Sequence, residues 1–493
     1  MDSYILAMDQ GTTSCRSILF DKTGNAIASS HKEFKQLYPR PGWVEHNPVE
    51  IFDTQYYTAQ DVLHKTNICP EQIASIGITN QRETVVVWER DTGNPVYNAI
   101  VWQCRRTTQI CDNYKKDKLE PLFKEKTGLV IDPYFSGTKI KWILDSDERL
   151  RLKARKGELL FGTIDSWLIY NLTGLHFTDT SNASRTQLYN INTGVWDREI
   201  MTILGIPDTM VPLQRHSSAN FGKTKNDLFG REILVGGVAG DQQAALFGQA
   251  CFETGDSKNT YGTGCFALVN TGHNKIESKN GLLTTLACEL DNGLVYALEG
   301  SVFIAGAVIQ WLRDELKIIT NASETNDMAA SIQDTGGVYI VPAFAGLGAP
   351  YWDPSARGII VGLTRGSNRA HIVRAALESI AYQSADLIHA LQEDSGKKIP
   401  ELKVDGGATQ NAFLMQFQAD ILGIPVVTSS TPDITALGAA YLAGLQVGFW
   451  NSTADIKKQW KEGKRYMPQM NDSQRETLIA GWKNAVAAAR EYK

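Results

Sequence analysis

The chain has 493 residues, 43% hydrophobic and 21% charged, with a formal net charge of −5. That length exceeds the roughly 250–300 residues at which one hydrophobic core stops growing, so two domains are expected. The mildly acidic balance excludes a basic footprint for nucleic acid, and no apolar run reaches the ~18 residues of a spanning helix, so membrane insertion is not expected.

The first strong pattern is residues 4–21, YILAMDQGTTSCRSILFD. Residues 5–8 and 17–20 read as two apolar strands around a tight polar turn, a hairpin in which Gly11 suits a positive φ. Thr12, Thr13, Ser14 and Arg16 offer hydroxyls, backbone N–H groups and a cation to one small anion. Asp9 would oppose that anion unless a divalent cation lay between them, which points to nucleotide phosphates with Mg²⁺. A decorated surface hairpin is the plain alternative. An echo speaks against it: at residues 259–270, NTYGTGCFALVN, a second Gly/Thr turn again leads into an apolar strand. One such turn in each half implies a duplicated domain rather than a short repeat.

Asn47 and Pro48 mark a helix start, and Val49, Phe52, Tyr56, Ala59 and Leu63 recur at helical spacing as its expected buried face. A strand at 76–79 follows, ending in Asn80, Gln81, Arg82 and Glu83. Strands interleaved with helices indicate an α/β architecture, with ligands gathered beyond the strand ends. Adjacent Arg82 and Glu83 are either a solvated loop or a donor fork beside an acceptor, a pairing that suits a neutral polyol better than an acid. Trp102 and Tyr134 are core residues or, in the same pocket, an apolar wall and a hydroxyl. Residues 136–144 and 162–172 read as helices. Gly222, Lys223 and Thr224 resemble the tail of a P-loop, but Ser217 occupies the position of its first glycine, and that reading fails.

The strand at 233–238 leads into AGDQQAALFGQ, where Asp241 is either a helix cap or the group that takes a proton from a substrate hydroxyl, with Gln242 beside it. A domain boundary is expected near 251–256, dividing the chain into 1–250 and 251–493. Residues 301–313 read as a helix whose Ala305 and Gly306 admit a close neighbour. Residues 402–411, LKVDGGATQN, read as strand, Gly406-Gly407 turn and helix start, and 473–493 as a surface amphipathic helix. Seven cysteines with no CxxC pair, and a start without a basic stretch or cleavage site, are expected of a cytoplasmic chain with free thiols.

DQGTTSCRS, NQRET, VAGDQQAALFGQ, YGTGCF, EGSVFIAGAVIQWLRD and DGGATQN occur in order from one end to the other, with GIIVGLTRGSNRAHIVRAALE at 358–378. Together they resemble the FGGY carbohydrate kinases, in particular the branch that phosphorylates glycerol. The resemblance implies two ribonuclease-H-like domains of the actin and sugar-kinase superfamily flanking a catalytic cleft. It implies that Arg82, Glu83, Trp102, Tyr134, Asp241, Gln242 and Phe266 surround glycerol. Thr12, Thr13, Ser14, Arg16, Thr263, Gly306, Gln310, Gly407 and Asn411 are then implied to hold ATP, with Asp9 and Asp241 near Mg²⁺ and Asp241 as general base. Homodimers or homotetramers are implied as well. In one place the chain departs from the pattern. Residues 221–234 contain neither the histidine nor the glycine run through which some members are regulated, so neither regulation is implied. A kinase for a larger sugar such as xylulose or gluconate, and an actin-like ATPase acting as a binding module, stay open as alternatives at this stage.

Overall fold

The computed structural model describes residues 3–492 apart from Asn292, Ala345 and Pro354. Two mixed sheets organise it. The first uses β1 (Tyr4–Gln10), β2 (Ser14–Phe20), β3 (Ala26–Glu33), β4 (Ile73–Asn80) and β5 (Val235–Gly240) in the order β5-β4-β1-β2-β3. β1 runs antiparallel to β2 and β2 to β3, whereas β1, β4 and β5 are parallel, joined by crossovers that include α1 (Pro48–Thr66). The second sheet contains β6 (Ser257–Tyr261), β7 (Cys265–Gly272), β8 (Leu283–Leu286) and β9 (Tyr296–Val302), then β10 (Leu402–Asp405), β11 (Val426–Ser429) and β12 (Glu462–Tyr466). Its order is β8-β9-β7-β6-β10-β11-β12. Within it, β9-β7-β6-β10-β11 repeats the pattern of the first sheet, antiparallel from β6 to β9 and parallel from β6 to β11. This is the ribonuclease-H-like topology twice over, and it explains the echo of Gly/Thr turns: each joins the first two strands of its sheet.

Local chemistry accounts for the element boundaries, including those misplaced by sequence reasoning. The first hairpin has longer strands than the apolar run indicates. The Gly11 N–H donates to the Ser14 carbonyl at 2.9 Å and closes the turn over Gly11–Thr13, so Ser14 and Arg16 belong to β2. Asn47 caps α1, accepting from the N–H groups of Val49 and Glu50. The buried face of α1, however, is Ile51, Gln55, Thr58 and Val62 with Ala59 and Leu63, and Val49 is exposed. Polar residues lie on that face because they bind β2: Gln55 donates to the Arg16 carbonyl at 2.9 Å, and the Thr58 and Ser17 hydroxyls meet at 2.8 Å. The expected helix at 301–313 begins only at Gly306, as α3 (Gly306–Asp314), since Ser301 and Val302 complete β9. A Cβ on Gly306 would lie 2.6 Å from the Gly262 carbonyl oxygen, so the small-residue contact expected there is made with the second Gly/Thr turn. The last helix, α7 (Asp472–Glu491), is amphipathic as expected, with Trp482, Val486 and Ala489 buried. The Trp482 ring stacks on Tyr382 of α4 (Arg369–Ser395), their centroids 5.3 Å apart.

Between β4 and β5, residues 84–215 add a lobe with its own core around Val85, Phe123, Ile143, Phe161 and Leu204. Near the C-terminus, beyond α5 (Ala412–Leu422), α6 (Ile434–Gln446) turns back onto β1, β4 and β5 and onto α2 (Asp241–Gly248). Ile5, Ala7, Ala244 and Ala245 form one apolar cluster with Ile434, Leu437, Tyr441 and Trp450. The two helices touch through backbone, because a Cβ on Gly438 would stand 1.9 Å from the Ala244 carbonyl oxygen. Gly438→Ala is therefore expected to lower the urea midpoint by an amount equivalent to about 1–3 kcal/mol, the cost of overpacking. Gly366→Ala, whose nearest contact is a side-chain oxygen at 3.7 Å, is expected to leave the midpoint nearly unchanged.

Candidate active site

The parallel strands of the first sheet end in register, with Gln10 beside Asn80 and Asn80 beside Gly240. The residues that follow, Gly11–Thr13, Gln81–Glu83 and Asp241–Gln242, consequently leave the sheet along one edge. In the second sheet Thr260 pairs with Asp405 and Val404 with Thr428, so Gly262–Gly264 and Gly406–Gly407 emerge together in the same way. Ligand sites in open α/β sheets form beyond such strand ends.

Thr263, Gly306, Gln310, Gly407 and Asn411, drawn from three separate stretches, line one cavity of about 600 Å³ with the apolar side chains of Ile309, Leu377, Ile380 and Leu414. An adjoining cavity of about 610 Å³ shares Gly407 and Gln410 and reaches Asp9 and Arg16. Apolar walls at one end and polar turns at the other match the two ends of a nucleoside phosphate. Thr12 is placed differently from its neighbours on the first turn: its hydroxyl accepts from Trp102 Nε1 at 3.0 Å. Thr13 is exposed at the tip and Ser14 half-buried. Burial raises the Asp9 carboxyl to about 6, with the carboxylates of Asp241 and Asp433 adding to the rise against the Arg16 charge.

Glu83 carries φ +61, a left-handed conformation uncommon for a side-chain-bearing residue and often found at functional sites. Its carbonyl is held by the Ser136 hydroxyl at 3.0 Å, and its carboxylate accepts from Arg185 Nε at 2.7 Å. Arg82 forks onto Glu299 of β9, Nη1 to Oε2 at 2.6 Å and Nη2 to Oε1 at 2.9 Å. Its Nε lies 3.2 Å from Asp241 Oδ1. Arg185 also reaches Glu299, at 3.0 Å, so two arginines and two glutamates form one buried network that joins the two sheets. Burial opposes ionisation of Glu299, but Arg185 and Arg82 outweigh it and bring the carboxyl down to about 2. Burial raises the Glu83 carboxyl in spite of the same two cations.

From this network the contacts close into a ring. Arg185 lies over the Tyr134 ring at 5.8 Å; Tyr134 meets Trp102 edge-on at 5.6 Å, and Trp102 meets Phe266 at 6.3 Å. The Phe266 carbonyl accepts from Lys258 Nζ at 3.3 Å, and Lys258 donates to Gln242, next to Asp241. All seven expected polyol residues thus lie in one ring, together with Arg185, Glu299 and Lys258, which sequence reasoning missed. Glu299 had a legible signal, a lone charge in an apolar run; Arg185 and Lys258 had none. Asp433, just before α6, was also missed. It makes no side-chain cap and instead pairs with Arg16. Asp241 begins α2 with Gly240 as the cap residue, which leaves part of its carboxylate facing outward.

Twin ribonuclease-H-like sheets, with their first turns and a polar-aromatic ring gathered at the strand ends, define a protein of the actin and sugar-kinase superfamily. Residues 4–248 match the N-terminal domain, and residues 257–447 the C-terminal domain, of the FGGY family of carbohydrate kinases, and the chain belongs to that family. It is 60% identical over its full length to "Glycerol kinase" of Caldanaerobacter subterraneus subsp. tengcongensis, covering 99% of that protein. It is 59% identical to "Glycerol kinase 2" of Thermotoga maritima, covering 98% of each chain. Among solved structures, Plasmodium falciparum glycerol kinase with ADP superposes with a TM-score of 0.92 at 37% identity, over 99% of this chain and 98% of that one. Xylulose kinase from Lactobacillus acidophilus gives 0.87 at 25% identity, over 99% of both.

Removing one partner from a buried ion network leaves an uncompensated charge, at a cost of about 3–5 kcal/mol. Glu299→Gln is expected to lower unfolding stability by that amount in chemical denaturation, and a loss below about 1 kcal/mol would be incompatible with the network holding the sheets together.

Proposed function

We propose that this chain transfers the γ-phosphoryl group of ATP to a terminal hydroxyl of glycerol, giving sn-glycerol 3-phosphate and ADP. The observation that carries the proposal is the closed ring that includes Asp241 and Gln242, three aromatic residues set among charged ones, standing where the turns of both sheets converge. The name shared by full-length relatives at 58–60% identity supports the same reading. Residues 1–250 and 251–493 then supply the two walls of the cleft.

In this reading the Arg82 guanidinium and Glu83 hold the carbinol groups, and Trp102, Tyr134 and Phe266 cover the C–H faces. Asp241 points a carboxylate oxygen at the reacting hydroxyl. An ordinary carboxylate is far too weak a base to ionise an alcohol in advance, so Asp241 orients the hydroxyl and accepts its proton late, as the bond to phosphorus forms. Arg16 and the Thr12–Ser14 and Gly262–Gly264 turns balance charge on the transferring group, whose loose transition state needs positioning more than covalent help. Thr263, Gly306, Gln310, Gly407 and Asn411 hold the nucleoside end.

Asp9 and Asp241 fit a role beside Mg²⁺. Asp9 is a carboxylate under electrostatic pressure from other carboxylates, and no group of three or more metal-ligating side chains occurs among the described residues. Two carboxylates, with waters and phosphate oxygens completing the octahedron, are the donor set Mg²⁺ prefers. When bound, it would neutralise the β- and γ-phosphate oxygens. Asp9→Ala is therefore expected to abolish the extra thermal stabilisation that Mg²⁺ adds to ADP alone, a shift readable without turnover.

Asp241→Asn should lower kcat by about 100-fold or more, the scale of general-base removal, while the glycerol dissociation constant stays within a few-fold. Near-normal turnover would remove Asp241 from the chemistry. An ADP-release assay offering glycerol, dihydroxyacetone, xylulose and gluconate tests the substrate. Glycerol is expected to give the highest kcat/KM, and a clear preference for a pentulose would replace it. Hydrolysis without an acceptor is expected to be slow, because closure around the polyol completes the site.

A further inference from the structure

Lys258 is fully buried on β6, and each of its three ammonium protons has an acceptor. They are the Gln242 side-chain oxygen, the Thr260 hydroxyl at 2.8 Å and the Phe266 carbonyl at 3.3 Å. A lysine has no other donors and no acceptor, so this one has nothing left to offer a ligand. Its effect is on Gln242. A carboxamide whose oxygen is held by an ammonium group must turn its NH₂ the opposite way, and among the described residues that NH₂ has no partner. Asp241 is constrained alongside it. Oδ1 accepts the Gln242 backbone N–H at 2.7 Å and faces Arg82 Nε at 3.2 Å, while Oδ2 has no hydrogen-bond partner among the described residues. Adjacent positions at the start of α2 therefore present one free acceptor and one free donor, the complement of a single hydroxyl group.

We propose that Lys258 is a positioning residue for the polyol: by holding the Gln242 side-chain oxygen it fixes the amide so that its NH₂ donates to a substrate hydroxyl while Asp241 accepts from one. Lys258 belongs to the second sheet and Gln242 to a helix that follows the first. The correct amide orientation thus exists only while the two sheets keep this contact, which ties substrate recognition to their relative placement. Burial lowers the Lys258 ammonium to about 8 while Asp405 and Asp241 oppose the shift. A group so costly to bury is hard to account for as mere filling.

The inference rests on the glycerol reading above, and the experiment separates the two. Steady-state kinetics are measured with glycerol and with ATP for the wild type, Lys258→Met and Gln242→Glu, each first checked for a cooperative thermal transition. Lys258→Met keeps the length and removes the ammonium, so the amide is free to rotate. Glycerol KM is expected to rise about tenfold, the weight of one hydrogen bond, with ATP KM within about twofold of wild type. Gln242→Glu keeps the Lys258 contact as an ion pair but replaces the donor with an acceptor. It is expected to raise glycerol KM at least as much without lowering the melting temperature, a combination that loss of packing would not give. If Lys258→Met does not fold, Gln242→Glu decides alone. A folded Lys258→Met, or a Gln242→Glu, with wild-type glycerol KM overturns the inference and leaves the proposed reaction standing. A wild-type chain that releases no ADP in the presence of glycerol overturns both.

Discussion

The interaction on which most else depends is the two-pronged pairing of Arg82 with Glu299 across the two sheets, 2.6 and 2.9 Å, in a place neither water nor salt reaches. Each buried ion would cost several kcal/mol if left alone, so the four charges of Arg82, Glu83, Arg185 and Glu299 are stable only as a set. Apolar residues of the same volume would pack there at less cost. The charges instead hold Glu83 at a positive φ and set Arg82 beside Asp241. Rigidity of this kind suits a site whose task is to place atoms rather than to form covalent intermediates.

Around that fixed point the duplicated sheets give the site its two-sided character. Each contributes a Gly/Thr turn from its first hairpin and further loops from its parallel strands, and the matching strand registers bring all of these to one edge. Small residues allow the approach. Gly306 lets α3 sit against the second turn, and Gly438 lets α6 lie on α2 with backbone touching backbone. Because α6 follows β11 of the second sheet but packs on the first, and Arg16 pairs with Asp433 just before it, the halves are connected at several depths.

The aromatic part of the ring has a separate origin. Trp102 and Tyr134 come from the lobe inserted between β4 and β5, which has a core of its own. Trp102 is tied to the first hairpin through its indole N–H on Thr12, so the aromatic wall and the first Gly/Thr turn are one rigid unit. A shift of either would be felt by the other. That coupling gives Thr12 a structural reason to be present beyond any contact with a nucleotide.

Composition, the two Gly/Thr turns and the ordered motifs were enough to define the two-domain α/β class and to single out Arg82, Glu83, Asp241 and Gln242, and the family resemblance to single out residues that line the cavity of about 600 Å³. Local chemistry carries the turns, caps and strand ends, because these are written in neighbouring residues. It could not find Arg185 or Asp433, whose partners Glu299 and Arg16 lie 114 and 417 residues away. Nor could it find the true face of α1, where glutamine and threonine are buried because a strand backbone and hydroxyl are there to meet them. A buried charge or amide is stable only beside its partner, and which groups become partners is decided when the two sheets come together, not by either stretch of chain alone.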